Sequence, residues 1–317
     1  MKIIFFGTPL FAAHILDFLK TTDHEILAVV TRPDRPRGRS QKLLPSAVKA
    51  LTCEKWPDLP LLQPEKVSTE TAAEALRELG ADLYVVVAYG EIIKTNILDI
   101  PPKGCINIHA SLLPKYRGAA PMQRCLMDGE TETGITIMEM VLKMDAGAML
   151  DVEKVAIPHA MTFGELEEKL CDAAKVGLAR ALEKIETNTL VATPQDESKV
   201  TFASKISFED RILDWSRSAS DLHNQVRDLS PFPGTFCFAL VKGEKKRLII
   251  KKAVDLPDCS EDRGEPGKTL KYAQDQWVIQ CGVGALSLLE VQLEGKKAMA
   301  IGDFIRGNPT PPTIAIA

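Results

Sequence analysis

The segment Lys2–Thr31 reads KIIFFGTPLFAAHILDFLKTTDHEILAVVT, and its periodicity changes twice. Lys2–Phe6 (KIIFF) is a short apolar run with a turn signal, GTP, behind it, which predicts a strand. Leu10–Leu19 has helical spacing, and Glu25–Thr31 (EILAVVT) returns to a strand pattern. Further out the same alternation continues. Pro45–Trp56 predicts a helix, Leu59–Leu62 a short strand and Thr69–Leu79 another helix. Asp82–Ala88 (DLYVVVA) is almost wholly apolar, as expected of a strand covered on both faces of a parallel sheet. Gly104–Ala110 is a further strand, Ala119–Asp128 is helical, and Gly134–Met140 and Met149–Ile157 are strands. Thr162–Ile185 predicts a long helix with Thr162 as N-cap and Glu165 completing a capping box. The βαβα order implies an α/β, doubly wound, mostly parallel Rossmann-like sheet with right-handed crossovers.

Beyond this the chain changes character. Residues 188–205 are polar and predict a linker between a domain at 1–187 and a second at 206–317. After a helical stretch, Ser218–Leu229, PFPG breaks the chain. Five short strands follow: Thr235–Val241, Arg247–Val254, Gly267–Tyr272, Trp277–Gln280 and Ala285–Gln292. That spacing predicts a small C-terminal OB-like β-barrel domain.

Composition excludes several classes. The 317 residues are 45% hydrophobic and 26% charged, the mix of a soluble globular protein. No apolar run reaches the ~18–20 residues that span a bilayer, and MKIIFFGTP lacks a cleavage-site pattern, so no membrane association and a cytoplasmic location are expected. Seven cysteines without a CxxC pair support neither a zinc motif nor a disulfide framework. The histidines at 14, 24, 159 and 223 have no ligand-like spacing, and no metal is expected. The net charge of −4 argues against a constitutive nucleic-acid binder, but two stretches, 31–49 and 242–252, each carry six basic residues against one acid. The bland reading of such a run is a solvated face. The first turn, GTPLFA, lacks GxGxxG, so dinucleotide binding is not supported.

The chemistry concentrates in Gly104–Gly118, GCINIHASLLPKYRG. Alternation puts Asn107 and His109 on one strand face, with Ile106 and Ile108 on the other. Polar residues at the carboxyl end of such a strand lie where open α/β sheets bind ligands. An isolated NxH is more often a hydrogen-bonded pair capping a strand. Here it is accompanied by Met144–Gly147 (MDAG), which places Asp145 in the turn between two strands. An amide and an imidazole can donate to a developing oxyanion, while a carboxylate orients the imidazole or moves a proton. The trio suits acyl transfer to an amine without an enzymic nucleophile. A Cys105–His109 nucleophile is the weaker alternative, since Cys105 lies deeper in the strand.

NIHASLLPKYRGAAP followed by MDAG resembles the signature of the 10-formyltetrahydrofolate-dependent formyltransferases. Similarity extends along the chain through IFFGTP, TRPDRPRGR, LLPSAVK, ADLYVVVAYG, GAAPMQR and GKKAM, which resemble the branch whose acceptor is methionyl initiator tRNA. One departure is Ala148, where many members carry an acid. The resemblance implies that Asn107 and His109 hold the formyl oxygen and that Asp145 orients His109 and shuttles protons. It implies that Ser111, Leu112, Leu113 and Pro114 line the tetrahydrofolate site, with Val86–Ile93 as an apolar wall. It implies a tRNA-binding arm at Arg32–Lys42, with Arg39 and Lys42 as contacts, unstructured until it meets phosphate. Lys245 and Lys246 are expected to bind tRNA through charge on the C-terminal domain. The co-substrate implied is 10-formyltetrahydrofolate, the partners folate and methionyl initiator tRNA, and the chain is expected to act as a monomer. The alternative acceptor is a small amine, a purine precursor or an amino-sugar nucleotide, and the alternative class is a folate- or RNA-binding module without catalysis.

Overall fold

Five buried residues in a row, Leu83 to Val87, mark the centre of the first sheet. The computed structural model describes residues 1–37, 42–257 and 264–315. In chain order come Lys2–Gly7 (β1), Leu10–Leu19 (α1), Glu25–Val30 (β2), Arg35–Arg37 (β3), Lys42–Leu44 (β4), Ala47–Lys55 (α2) and Leu61–Leu62 (β5). Glu70–Glu78 (α3), Leu83–Val87 (β6), Thr95–Leu98 (α4), Cys105–His109 (β7), Arg117–Gly118 (β8) and Pro121–Met127 (α5) follow. Then come Glu132–Glu139 (β9), Met149–Ala156 (β10) and the long helix Phe163–Glu186 (α6).

The first sheet runs β10-β9-β7-β6-β1-β2-β5. The β7-β6-β1-β2-β5 part is parallel, and β9 and β10 add an antiparallel edge. This is the Rossmann-like sheet that the alternating pattern predicts. Helix starts follow their caps. Ser46 accepts from Lys49 N at 2.9 Å and Thr69 from Ala72 N at 3.3 Å. Thr162 and Glu165 form the expected capping box, with Thr162 N donating to Glu165 Oε2 at 2.8 Å and Glu165 N to Thr162 Oγ1 at 3.4 Å.

Of Arg32–Lys42, expected as an unstructured arm, the described residues are 32–37 and Lys42, and these are tied down. β3 and β4 pair as a hairpin, Arg35 bonds Glu65 at 2.9 Å, Lys49 bonds Asp34 at 2.8 Å, and Arg32 pairs with Glu91. Glu65 and Glu91 come from other parts of the chain, so a local count of basic residues missed them. Arg39 lies outside the described residues.

The second half carries Phe202–Ala203 (β11), Ala219–Asp228 (α7), Thr235–Val241 (β12), Glu244–Leu256 (β13), Thr269–Ala273 (β14) and Gln276–Gln280 (β15). Ala285–Leu293 (β16), Met299–Ala300 (β17), Ile301–Gly307 (α8) and Thr313–Ala315 (β18) complete it. The sheet runs β14-β15-β16-β13-β12-β18 in antiparallel pairs. Irregular register around Lys252 bends β13, the longest strand. The result is a curled, OB-like half-barrel whose described edges, β14 and β18, do not meet. Its core centres on Trp277, fully buried, stacked on Phe304 at 5.5 Å and edge-on to Tyr272 at 5.4 Å.

The chain forms two compact units. The first comprises Met1–Gly118, Glu132–Ala156 and Glu167–Phe202, and the second Ala119–Thr131, Ile157–Leu166 and Ala203–Ala317. Most of the polar stretch 188–205 therefore belongs to the first unit, where Thr193 and Met149 exchange two backbone hydrogen bonds of 2.8 Å. Among the described residues, no helix is long and apolar enough to cross a membrane.

Candidate active site

β7 runs parallel to β6 and antiparallel to β9, which pairs Asn107 with Val86 and Met138, and His109 with Thr136. Two residues apart on one strand, Asn107 and His109 share a face. Asn107 is half-buried, and its amide makes no hydrogen bond among the described residues. It is free to meet a ligand. His109 is 5% exposed, and its Nε2 lies 2.9 Å from the Tyr116 carbonyl oxygen. A carbonyl only accepts, so Nε2 carries the hydrogen and the Nδ1 lone pair faces the other way. There Nδ1 is 3.7 Å from Asp145 Oδ2, too long for a direct hydrogen bond. The group that fixes the imidazole is therefore the Tyr116 carbonyl, while Asp145 lies on the side of its free nitrogen.

The turn carrying Asp145 is held from several sides. Asp145 adopts a left-handed φ of 51°, and its Oδ2 accepts from Gly118 N at 2.8 Å. Gln195 Nε2 donates to the main-chain oxygens of both Asp145 and Gly147, each at 2.8 Å. Gln195 Oε1 in turn accepts from Arg117 Nε at 3.0 Å and Nη2 at 2.8 Å. Arg117 is 1% exposed and also bonds Glu197 at 2.8 Å. With Arg117 foremost and Lys143 second, these partners pull the Glu197 carboxyl down to about 2. Gly147 is required by space, since a Cβ there would sit 1.8 Å from the Glu139 oxygen. Sequence reasoning missed Arg117 and Gln195 as parts of this site. Arg117 stood within the quoted motif, but a glutamine in a polar stretch carries no periodic signal.

The loop Ser111–Pro114 is shaped from within. Ser111 is fully buried and donates to Lys115 O at 2.7 Å, while Thr136 Oγ1 donates to Ser111 O at 2.7 Å and accepts from Leu113 N at 3.2 Å. Leu113 is also buried, which leaves Leu112 and Pro114, both half-buried, with surface to offer. Leu112 packs against Gly134, where a Cβ would approach its Cδ2 to 2.5 Å. Beyond β6, Ala88 and Gly90 take φ of 44° and 87°, and Thr8 Oγ1 bonds Tyr89 O at 2.7 Å. Cys105 is buried and donates to Leu98 O at 3.5 Å, and burial pushes its thiol up to about 12. A thiolate nucleophile does not form there at neutral pH.

On the second unit, β13 separates the basic residues expected together. Lys245 and Lys246 are consecutive in a strand and point to opposite faces. Lys245 lies over the Phe238 ring at 4.9 Å, and Arg247 over Phe236 at 5.5 Å. Arg211 covers Phe208 and Phe236 from 5.8 and 5.6 Å, so cations and aromatic rings interleave on that face. Lys246 bonds Glu244 at 2.7 Å. Lys42 is exposed on β4, opposite Arg37.

Comparison with known proteins adds to this geometry. Residues 1–182 match the family described as Formyl transferase, and residues 205–309 match Formyl transferase, C-terminal domain. A protein of Protochlamydia amoebophila named Methionyl-tRNA formyltransferase is 50% identical over 97% of this chain and 95% of its own length. One of the same name from Methylobacterium is 43% identical over 100% of this chain and 99% of its own. Among solved structures, the N-formyltransferase of Helicobacter canadensis in complex with folinic acid and dTDP-3-aminofucose has a TM-score of 0.65 at 17% identity, covering 91% of this chain and 99% of that one. HypX of Aquifex aeolicus in complex with tetrahydrofolic acid has a TM-score of 0.63 at 18% identity, covering 96% of this chain and 47% of that longer one. At such identity these two speak for the fold.

Proposed function

The chain belongs to the formyl transferase family, and from that premise we propose that it transfers the formyl group of 10-formyltetrahydrofolate to the α-amine of methionyl initiator tRNA. In this reading it is the enzyme that prepares the initiator for translation, working as a cytoplasmic monomer with charged tRNA and folate as its partners. One observation carries the chemistry: Asn107 and His109 share the end of β7, with the Asp145 carboxylate 3.7 Å from the one ring nitrogen that His109 leaves free.

The amine attacks the formyl carbon, the carbonyl oxygen becomes an oxyanion, and the bond to the folate nitrogen then breaks. Asn107 donates its uncommitted amide hydrogen to that oxyanion. His109 donates to the oxyanion from Nδ1 once that nitrogen carries a proton, because its Nε2 hydrogen is committed to the Tyr116 carbonyl. The attacking amine must lose one proton and the departing folate nitrogen must gain one. Asp145, with His109, carries that proton between them. Leu112 and Pro114 face the folate, while Ser111 and Leu113 shape the loop, and Val86–Ile93 provides apolar wall and backbone groups for the pterin. Arg39 and Lys42 reach the tRNA acceptor stem. The face bearing Lys245 takes the tRNA backbone, with Lys246 at the end of the same strand.

Incubation with 10-formyltetrahydrofolate and charged initiator tRNA, scored for formyl-methionine, tests this directly. Free methionine, glycinamide ribonucleotide and an amino-sugar nucleotide run in parallel. Formylation of charged tRNA is expected. Transfer to a small amine but not to charged tRNA overturns the reading.

A further inference from the structure

His159, His223 and Asp255 come from three separate elements of the second unit: the segment after β10, helix α7 and strand β13. One ligating atom of each lies within 4.8 Å of the other two. His159 Nε2 is 2.7 Å from Asp255 Oδ1, and His223 Nδ1 is 3.9 Å from the same oxygen. The two imidazoles stack with centroids 4.5 Å apart. Separations of 64 and 32 residues between them hide this cluster from any reading of sequence spacing (223 − 159 and 255 − 223).

The cluster's own hydrogen bonds leave one atom unexplained. His223 is 4% exposed, and its Nδ1 has no hydrogen-bond partner among the described residues. A buried ring nitrogen facing a carboxylate and a second imidazole without a bond is an unusual expense. Ser220 Oγ donates to Asp255 Oδ2 at 2.9 Å, which turns Oδ1 toward the histidines and holds it there.

We propose that His159 Nε2, His223 Nδ1 and Asp255 Oδ1 form a site for a divalent transition metal, best suited to Zn²⁺, with water as fourth ligand. Two imidazoles and a carboxylate are a donor set that Zn²⁺ accepts, whereas Mg²⁺ and Ca²⁺ prefer all-oxygen shells. Bonds of ~2.0 Å at the tetrahedral angle would set ligand atoms ~3.3 Å apart, between the 2.7 and 3.9 Å found here. His159 can make that adjustment, because its side chain is 67% exposed. Its hydrogen bond to Asp255 then gives way to the metal bond. Arg227 bears a charge that opposes a cation near His223, but its guanidinium is tied to Asn224 at 2.9 Å and to Met161 O at 3.3 Å. The Asp255 carboxylate offsets it. A bound ion would staple the segment around His159 to α7 and β13.

The test uses the full chain, stripped with a chelator and titrated with Zn²⁺ by calorimetry and with Co²⁺ by visible absorption. All variants carry Cys53→Ser, because Cys53 is an exposed thiol that could bind the metal by itself. One Zn²⁺ per chain, a higher Tm with metal, and four-coordinate Co²⁺ bands without thiolate charge transfer are expected. Altering even a partner of a ligand costs ~10–100-fold in metal affinity, so His159→Ala and Asp255→Asn should each cost at least ~10-fold. His159→Ala changes an exposed side chain, and a cooperative thermal transition in its metal-free form establishes that it folds. Failure of Zn²⁺ to bind stoichiometrically, binding unaffected by His159→Ala, or a thiolate-type Co²⁺ spectrum overturns the proposal.

Discussion

The side-chain amide of Gln195 donates to the main-chain oxygen of Asp145 at 2.8 Å, fifty residues away in the chain. A second donation to Gly147 O, and the two hydrogen bonds that Gln195 receives from buried Arg117, make it a bracket for the turn that presents the carboxylate. Displacing a reacting group by about 1 Å can cost on the order of 10²-fold in rate. Gln195→Ala should therefore lower kcat by roughly 10–100-fold while the Kd for folate stays nearly constant. Single-turnover formylation and equilibrium folate binding separate the two. Undiminished turnover would show that the turn holds its own shape.

Asn107 is expected to act in the transition state more than in binding. Removal of one oxyanion donor typically costs ~10²–10³ in kcat. Asn107→Ala should fall in that range with little change in folate affinity. Asp145→Asn keeps the shape and removes the charge, so it should lose turnover while Gly118 N still finds an oxygen acceptor. Near-wild-type activity of Asp145→Asn would rule out its part in proton transfer.

Most of the first sheet was legible because both-face burial writes itself into runs such as Leu83–Val87, and helix starts such as Thr162–Glu165 have local chemistry. Asn107, His109 and Asp145 were legible for a related reason, since strand alternation and a turn between two strands put them at one sheet edge. What stayed hidden depends on partners distant in sequence. The β3–β4 hairpin is anchored through Glu65 and Glu91, and Arg117 finds Gln195 and Glu197 in a stretch without periodicity. The opposite facing of Lys245 and Lys246 was available from strand alternation, but only once β13 was known to begin at Glu244 rather than Arg247.

Arg39 should matter for the tRNA and not for the folate. It sits in the basic stretch 31–49, in which Arg32, Arg35 and Lys49 are already paired with acids. Arg39→Ala should raise the KM for charged initiator tRNA and leave folate binding unchanged. Equal loss with both substrates, or none, would remove Arg39 from the tRNA surface.

The two faces of β13 should respond differently to charge removal. Lys245 and Arg247 lie over Phe238 and Phe236 on one side, while Lys246 is engaged by Glu244. Taking one cation away from a phosphate should reduce the slope of log K against log salt by about 1. Lys245→Ala combined with Arg247→Ala should flatten the slope for tRNA binding, and Lys246→Ala should change it less. Filter binding across a salt series measures both, and a larger effect of Lys246→Ala would place the RNA on the opposite face.

Asp228, on α7, should make the stability of the chain depend on pH in a sense unusual for a carboxylate. It is fully buried, and neither oxygen has a hydrogen-bond partner among the described residues. Burial pushes its carboxyl up to about 8, against the smaller downward pull of Arg124 and Arg227. The folded chain therefore keeps this proton at neutral pH, whereas an unfolded aspartate releases it near pH ~3.9. Between those values the native state binds more protons than the unfolded one, so the contribution is intact below about pH 4 and is lost as pH rises toward 8. His223, pushed down to about 4 by burial on the same helix, acts the other way, losing stability as pH falls from ~6.5. Asp228→Asn isolates the first effect, because the amide stays neutral at every pH and His223 is common to both proteins. The variant's stability relative to the parent should grow steadily from pH 4 to pH 8, as read from urea midpoints at each pH. Parallel curves across that range would mean that Asp228 is ionised in the folded state and paired by a group that also moves on unfolding.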